Sequence, residues 1–259
     1  MTEPDARPGP AARRALLDAI GLLVPADCVG CGAVDRAVCG RCRAVLLGAS
    51  PQFVERPGLN AWAALRYEGP AARAIGAYKD GGRTDAAGPL SEALGGAIAA
   101  ALHGLPPGTI EVCTVPSTSA AMRARGYAPV ELLLSRCGIR SANVLRLTRA
   151  HEDQAGLGAA ARRVNAEGAL EARRPLAGRR FLLVDDVLTT GSTLVEARRA
   201  LAVAGGSVAA VAVLAETPLR RTAHTAVSRE TLRDNLTRGG YGGRTGVVDP
   251  PFQTRVTRR

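Results

Sequence analysis

The sequence predicts an α/β fold, a mainly parallel sheet with flanking helices, joined to a small N-terminal four-cysteine module. Three observations predict it. The apolar runs Ile110–Val115, Phe181–Val184 and Val208–Leu214 have the length and composition of strands buried on both faces. Helical patterns at Ser91–His103, Ala120–Ser135 and Ser192–Ala204 alternate with them, the order of a parallel sheet covered by helices. Two C-x₂-C pairs precede all of these elements.

Taken in order, residues 1–10 hold three prolines and little to bury, so they are expected to be disordered. Ala11–Leu23 reads as a short helix with Ala15, Leu16, Ala19, Ile20 and Leu23 on one face, ended by Pro25. With the cysteines that follow, residues 11–50 make a helix and a metal module. Pro51, Pro57 and Gly58 mark a connector and a domain boundary before Leu59. Residues 59–217 carry the strand–helix alternation, with Val144–Leu147 as a weaker fourth strand. In its last helix Leu194, Ala197, Leu201 and Ala204 line one face, and Gly205-Gly206 supplies the stop. Beyond Pro218 periodicity fades, so residues 218–259 are expected to form a flexible basic tail.

Apolar residues are 46% of the 259 and aromatics only 3%, so the core must be built of Ala, Val and Leu. The net charge is +11, with Lys79 the single lysine among 34 basic residues. More than half of that excess lies in Arg220–Arg259, where nine arginines face three acids. No stretch reaches the roughly 18 continuous apolar residues of a membrane span. Arg13 and Arg14 precede the apolar run Ala15–Val24 as a secretory signal would, but Asp18 interrupts it and no Ala-x-Ala cleavage pattern follows. Clustered thiols suit a reducing compartment, so a cytoplasmic location is expected.

The most informative segment is Phe181-Leu-Leu-Val-Asp185-Asp186-Val-Leu-Thr189-Thr190-Gly191-Ser192-Thr193. Four apolar residues make a buried strand, two carboxylates stand where it should emerge, and a hydroxyl-rich turn opens a helix. Backbone N–H groups at a helix N-terminus bind a phosphate dianion, and the hydroxyls of Thr189, Thr190, Ser192 and Thr193 add donors without bulk. Gly191 allows close approach of the backbone. Asp185 and Asp186 would repel a phosphate and one another, and suit the vicinal hydroxyls of a ribose, each of which can donate to a carboxylate. Ligands of open α/β sheets sit at such strand ends. A phosphoribosyl group, as in phosphoribosyl pyrophosphate, satisfies both halves of the motif. No Gly-x-x-x-x-Gly-Lys-Ser/Thr occurs, which excludes a P-loop.

Cys28-Val-Gly-Cys31 and Cys39-Gly-Arg-Cys42 are separated by seven residues, with Gly32 and Gly40 at the turns. Four thiolates from two symmetric pairs suit tetrahedral Zn²⁺ and leave no open position for catalysis. A redox C-x-x-C or a pair of disulfides fits this spacing less well, and an iron–sulfur cluster is the alternative the spacing leaves open. Cys113 and Cys137, in apolar surroundings, read as core residues.

Across these and several further segments the chain resembles the ComF family, competence-protein-like relatives of the type I phosphoribosyltransferases. The resemblance covers about residues 11–217. It rests on the four cysteines, Tyr67-Glu-Gly-Pro70, Ala77-Tyr-Lys79-Asp-Gly-Gly-Arg83, Val115-Pro116 and Arg123-Ala-Arg125-Gly126-Tyr127. Gln154-Ala-Gly-Leu157, Arg162-Arg163-Val-Asn165, Gly168-Ala-Leu170 and the phosphate loop complete it. The resemblance implies a type I phosphoribosyltransferase-like sheet and a mobile loop over the site, formed by Arg149–Asn165. It implies that the turn Val115–Ser119 faces the pyrophosphate, with Arg123 and Arg125 on its far side, and that Lys79 belongs to the substrate site. Where many relatives read Gly-Phe-Asn-Gln, this chain has Gly126-Tyr127-Ala128-Pro129, so that polar pair is absent.

Two functions follow. One is an enzyme that releases pyrophosphate from phosphoribosyl pyrophosphate with Mg²⁺, Asp185 and Asp186 holding the ribose and Thr189–Thr193 the 5-phosphate. The other, implied by the family's association with competence, is a DNA-uptake accessory protein. It would contact single-stranded DNA through arginines near the cysteine module and in the tail. The scarcity of aromatics argues against extensive base stacking. Type I relatives often dimerise, so the resemblance also implies a homodimer.

Overall fold

The computed structural model describes residues 26–34, 36–148 and 168–218. In chain order the elements are α1 (Gly40–Leu47), β1 (Gln52–Arg56), β2 (Leu59–Arg66), α2 (Gly69–Lys79), a 3₁₀ turn (Thr84–Ala86) and α3 (Ala87–Leu102). They continue with β3 (Glu111–Thr114), α4 (Ser119–Arg125), α5 (Pro129–Arg136), β4 (Leu145–Leu147), β5 (Leu170–Ala172), β6 (Arg180–Leu188), α6 (Ser192–Val203) and β7 (Ser207–Glu216). The expectations for residues 1–10, the helix Ala11–Leu23, the loop Arg149–Asn165 and the tail from Arg220 lie outside the described residues.

The main sheet has the order β1-β2-β7-β6-β3. Its β2, β7, β6 and β3 run parallel, and β1 adds an antiparallel edge by pairing with β2. Both faces are covered, which is why the strands read as unbroken apolar runs. Alternate residues serve opposite layers. Leu182, Val184, Ala212 and Leu214 pack in one core with Ile75, Leu90, Leu94 and Leu133 of α2, α3 and α5. Phe181, Leu183, Val211 and Val213 pack in the other with Leu194, Ala197 and Leu201 of α6 and with Leu145 and Leu170. The small side chains of Ala61, Ala63 and Ala64 on β2 fill this space where aromatics are scarce.

Three expectations change. The segment read as a connector carries β1, whose hairpin with β2 turns at Pro57-Gly58, Gly58 standing at φ +73°. The helix expected over Ala120–Ser135 is two helices. Gly126, at φ +75°, ends α4 in the left-handed conformation, and Pro129 occupies the first turn of α5, where its missing N–H does no harm. The strand expected at Val144–Leu147 exists but pairs antiparallel with β5 in a separate two-stranded sheet. That small sheet is fastened to α6 by Glu196, 3% exposed, which accepts from the Leu170 N–H at 3.1 Å while Arg199 donates to it at 2.6 Å and to the Leu170 carbonyl at 3.0 Å.

Candidate functional site

The parallel sheet fixes where the acids stand. Thr114, the last residue of β3, pairs with Val184, whereas β7 continues alongside β6 as far as Leu188. Asp185 and Asp186 are therefore the first residues of β6 without a β3 neighbour, and a crevice opens where β3 stops. The strand runs past the acids to Leu188 instead of ending at Val184. The crevice encloses about 1040 Å³. Lys79, Arg125, Asp185, Asp186, Thr189 and Thr193 all line it, as do Val115, Pro116 and Ser117 of the turn after β3.

Two adjacent carboxylates in one cleft need an answer, and the fold supplies it to only one. Lys79 Nζ lies 2.6 Å from Asp186 Oδ2, with the two side chains 30% and 16% exposed. Asp185 accepts the Asp186 N–H at 2.8 Å, and Asp186 accepts the Val187 N–H at 2.7 Å. Burial, and then the charge of Asp186 beside it, push the Asp185 carboxyl up to about 7, against the pull of that N–H and of Lys79.

Lys79 reaches the acids because the end of α2 is clipped from three directions. Tyr127 donates its hydroxyl to the Tyr78 carbonyl, and Tyr78 donates its own to the Pro129 carbonyl at 2.7 Å. Arg125 Nη2 meets Asp80 Oδ1 at 2.9 Å. The segment Gly126-Tyr127-Ala128-Pro129 thus fastens α2 to α5, and the Tyr78 and Tyr127 rings lie 5.6 Å apart.

The hydroxyl turn opens α6 with Gly191 at φ +85° and no side-chain cap. The Thr190 and Ser192 hydroxyls lie 3.2 Å apart, and the Ser192 N–H reaches only the Thr190 hydroxyl, at 3.4 Å. Both residues are exposed, as is Thr193. Arg123 is exposed on α4 and is not among the residues that line the cleft, and Thr190, Gly191 and Ser192 flank it. Arg162 and Asn165 lie outside the described residues.

Charged residues that no motif marks also belong to this site, Arg173 on the cleft wall among them. Glu131 lines the cleft and accepts from Thr114 Oγ1 at 2.6 Å and from Ser141 Oγ at 2.7 Å on each oxygen. Arg56 lies beneath the hydroxyl turn and donates to the Thr189 carbonyl at 3.0 Å. Neither sits in a local motif. The only signal for Arg56 was an arginine just before a Pro-Gly turn.

The sulfurs of Cys28, Cys31, Cys39 and Cys42 lie within 4.8 Å of one another and none is in a disulfide. Cys31 Sγ is 3.7 Å from Cys39 Sγ. A tetrahedron with metal–sulfur bonds of about 2.3 Å has edges near 3.8 Å, so the four thiols can hold a metal such as zinc. The Cys39 N–H donates to Cys28 Sγ at 3.3 Å and the Cys42 N–H to Cys39 Sγ at 3.4 Å, bonds that favour thiolates. The knuckle is seated on the domain: Val29 and Leu46 enter the core beside α2 and α3, and Arg73 of α2 donates to the Gly30 carbonyl at 2.6 Å. Among the described residues no helix is long and apolar enough to cross a membrane.

A parallel sheet with an acid pair and a hydroxyl-glycine turn at its carboxyl edge is a strand-end ligand site of the kind open α/β folds use, with groups suited to an anion on one side and to hydroxyls on the other. Comparison with known proteins agrees with that class. The family model of the phosphoribosyl transferase domain matches residues 124–236, a span of less than half the chain that takes in α5, the two-stranded sheet, β6, the hydroxyl turn, α6 and β7. No curated protein matches the chain.

Proposed function

We propose that this chain is a ComF-like phosphoribosyltransferase that binds phosphoribosyl pyrophosphate with Mg²⁺ and transfers the phosphoribosyl group to a nucleophilic acceptor. One observation carries the reading: an acid pair and an uncapped hydroxyl turn share a single cleft at the end of β6. Asp185 and Asp186 accept the ribose hydroxyls. The turn Thr189–Thr193 receives the 5-phosphate on its hydroxyls and the free N–H groups of α6. Ser117 and Arg125, on the far side of the cleft, face the pyrophosphate, whose bond to C1 breaks as the acceptor bonds to C1. Mg²⁺, when bound, neutralises charge on the departing pyrophosphate; the carboxylates of this cleft are oxygen donors of the kind that suit it.

Lys79 in this reading guards the site. In the unliganded chain it holds Asp186, and a ribose hydroxyl competes for that carboxylate, freeing the ammonium to meet pyrophosphate oxygens. The four cysteines hold structural zinc, whose filled coordination leaves it outside the chemistry. The competing reading, a DNA-uptake accessory protein, draws on the arginines of Arg220–Arg259, outside the described residues. Two measurements on the full chain separate the readings: pyrophosphate release from phosphoribosyl pyrophosphate across a panel of amine and nucleobase acceptors, and a salt titration of single-stranded DNA binding. Release above the hydrolytic background supports transfer. Tight, steeply salt-dependent DNA binding with no release favours the accessory role.

A further inference from the structure

We propose that Arg56 sets the Thr189–Thr193 turn for an anionic phosphate ester, acting from beneath the loop without touching the ligand. The inference rests on the reading of that turn as the 5-phosphate site. Arg56 is the last residue of β1 and is 7% exposed. Its guanidinium is used on every side: Nε donates to the Thr189 carbonyl at 3.0 Å, Nη1 to the Glu55 carbonyl at 3.0 Å, and Nη2 to Glu216 Oε2 at 2.7 Å and the Thr217 carbonyl at 2.9 Å.

The contribution is geometric. Glu216, itself little exposed, answers the positive charge, so Arg56 offers a phosphate little net attraction. What it does is hold one peptide group. In a planar trans peptide the carbonyl and the following N–H point in opposite directions, and no cis bond occurs among the described residues. With the Thr189 carbonyl drawn down onto Arg56, the Thr190 N–H is turned away from Arg56. Released, that peptide could rotate its carbonyl into the turn, where an oxygen repels an anion that an N–H would attract. Gly191 is seated on the same support. A Cβ there would lie 3.4 Å from Leu188 Cδ1, 3.5 Å from Leu59 Cδ2 and 3.6 Å from Arg56 Cβ. The antiparallel hairpin at the sheet edge thereby delivers a planar fork to the underside of the turn. Through the Thr217 carbonyl the same fork ties down a second residue of the cleft wall.

Lysine keeps the charge of arginine and loses the fork, so it cannot serve Thr189, Glu216 and Thr217 together. The experiment is calorimetry on the full chain, well below its melting temperature, with ribose 5-phosphate, phosphoribosyl pyrophosphate plus Mg²⁺, and inorganic pyrophosphate plus Mg²⁺ as separate probes. Arg56→Lys is expected to weaken ribose 5-phosphate and phosphoribosyl pyrophosphate by about 10-fold or more, and to leave pyrophosphate within about 2-fold of wild type. Should Arg56→Lys fail to fold, Glu216→Gln, which leaves Arg56 in place but slackens its anchor, carries the same comparison with a smaller loss. Unchanged ribose 5-phosphate affinity overturns the inference. So does a parallel loss of pyrophosphate, which marks a general scaffold role. A wild-type chain that binds neither ribose 5-phosphate nor phosphoribosyl pyrophosphate overturns the phosphate-site reading itself.

Discussion

The cysteine knuckle and the cleft at the end of β6 are both polar sites on one apolar scaffold, built in opposite senses. The knuckle draws its four donors from Cys28–Cys42 and aims them at one another, within 4.8 Å. The cleft draws Lys79 from α2, Arg125 from α4, Glu131 from α5 and the acids from β6, and aims them at an open space of about 1040 Å³. Donors converging on a point suit a resident ion. Donors spread around a volume suit a ligand that arrives and leaves. The knuckle is therefore an element of stability, and the cleft gives up stability to hold two carboxylates beside each other.

Metal removal gives the largest separation of the two. Structural zinc contributes on the order of 10 kcal/mol to folding a module of this kind. Chelation is expected to release one zinc per chain and open residues 26–48 to protease while the sheet persists. Because Val29 and Leu46 pack beside α2, the end of that helix should also loosen, seen as faster amide exchange around Lys79. Elemental analysis that finds no metal, or iron, contradicts the zinc assignment.

A smaller effect, of opposite sign, is expected in the cleft. The folded chain holds the Asp185 proton to about 7, whereas the unfolded carboxyl releases it near 3.8. Between these values the folded state binds more protons, so this residue makes stability fall as pH rises through that window and level off above it. Asp185→Asn removes the penalty. It should melt higher than wild type at pH 8, stabilised by up to roughly 4 kcal/mol for a shift of this size, with the difference vanishing by about pH 3. Asp186→Asn should do the reverse and less, since it leaves half-buried Lys79 without its partner. Matching pH profiles for the two variants would show that the acids are solvated alike.

Contiguity decided what could be read from the sequence. The C-x₂-C pairs and the run from Phe181 to Thr193 carry their chemistry within a few residues, and the parallel sheet follows from unbroken apolar runs. Lys79 came through the resemblance, while its ion pair with Asp186 depends on contacts around Tyr78, Tyr127 and Asp80 that no spacing encodes. Glu131 bonds Thr114 across 17 residues of chain and Arg56 bonds Thr189 across 133, so little in the local sequence marks them. The strand β2 escaped because Ala61, Ala63 and Ala64 have weak strand preference, which packing in a doubly covered sheet overrides, and β1 because Pro51, Pro57 and Gly58 around it read as a connector. The helix drawn through Gly126 and Pro129 followed apolar periodicity across two residues whose backbones require a break.

Calorimetry with phosphoribosyl pyrophosphate and Mg²⁺, comparing wild type with Asp185→Asn/Asp186→Asn, tests the sugar-phosphate assignment most directly. Each carboxylate–hydroxyl bond is worth roughly 1.5–3 kcal/mol, so affinity should fall by about 100-fold or more in the double variant. Its melting temperature should hold or rise slightly, the gain at Asp185 exceeding the loss at Asp186. Wild-type affinity in a folded double variant would contradict the assignment and leave the acids as the solvated end of a strand.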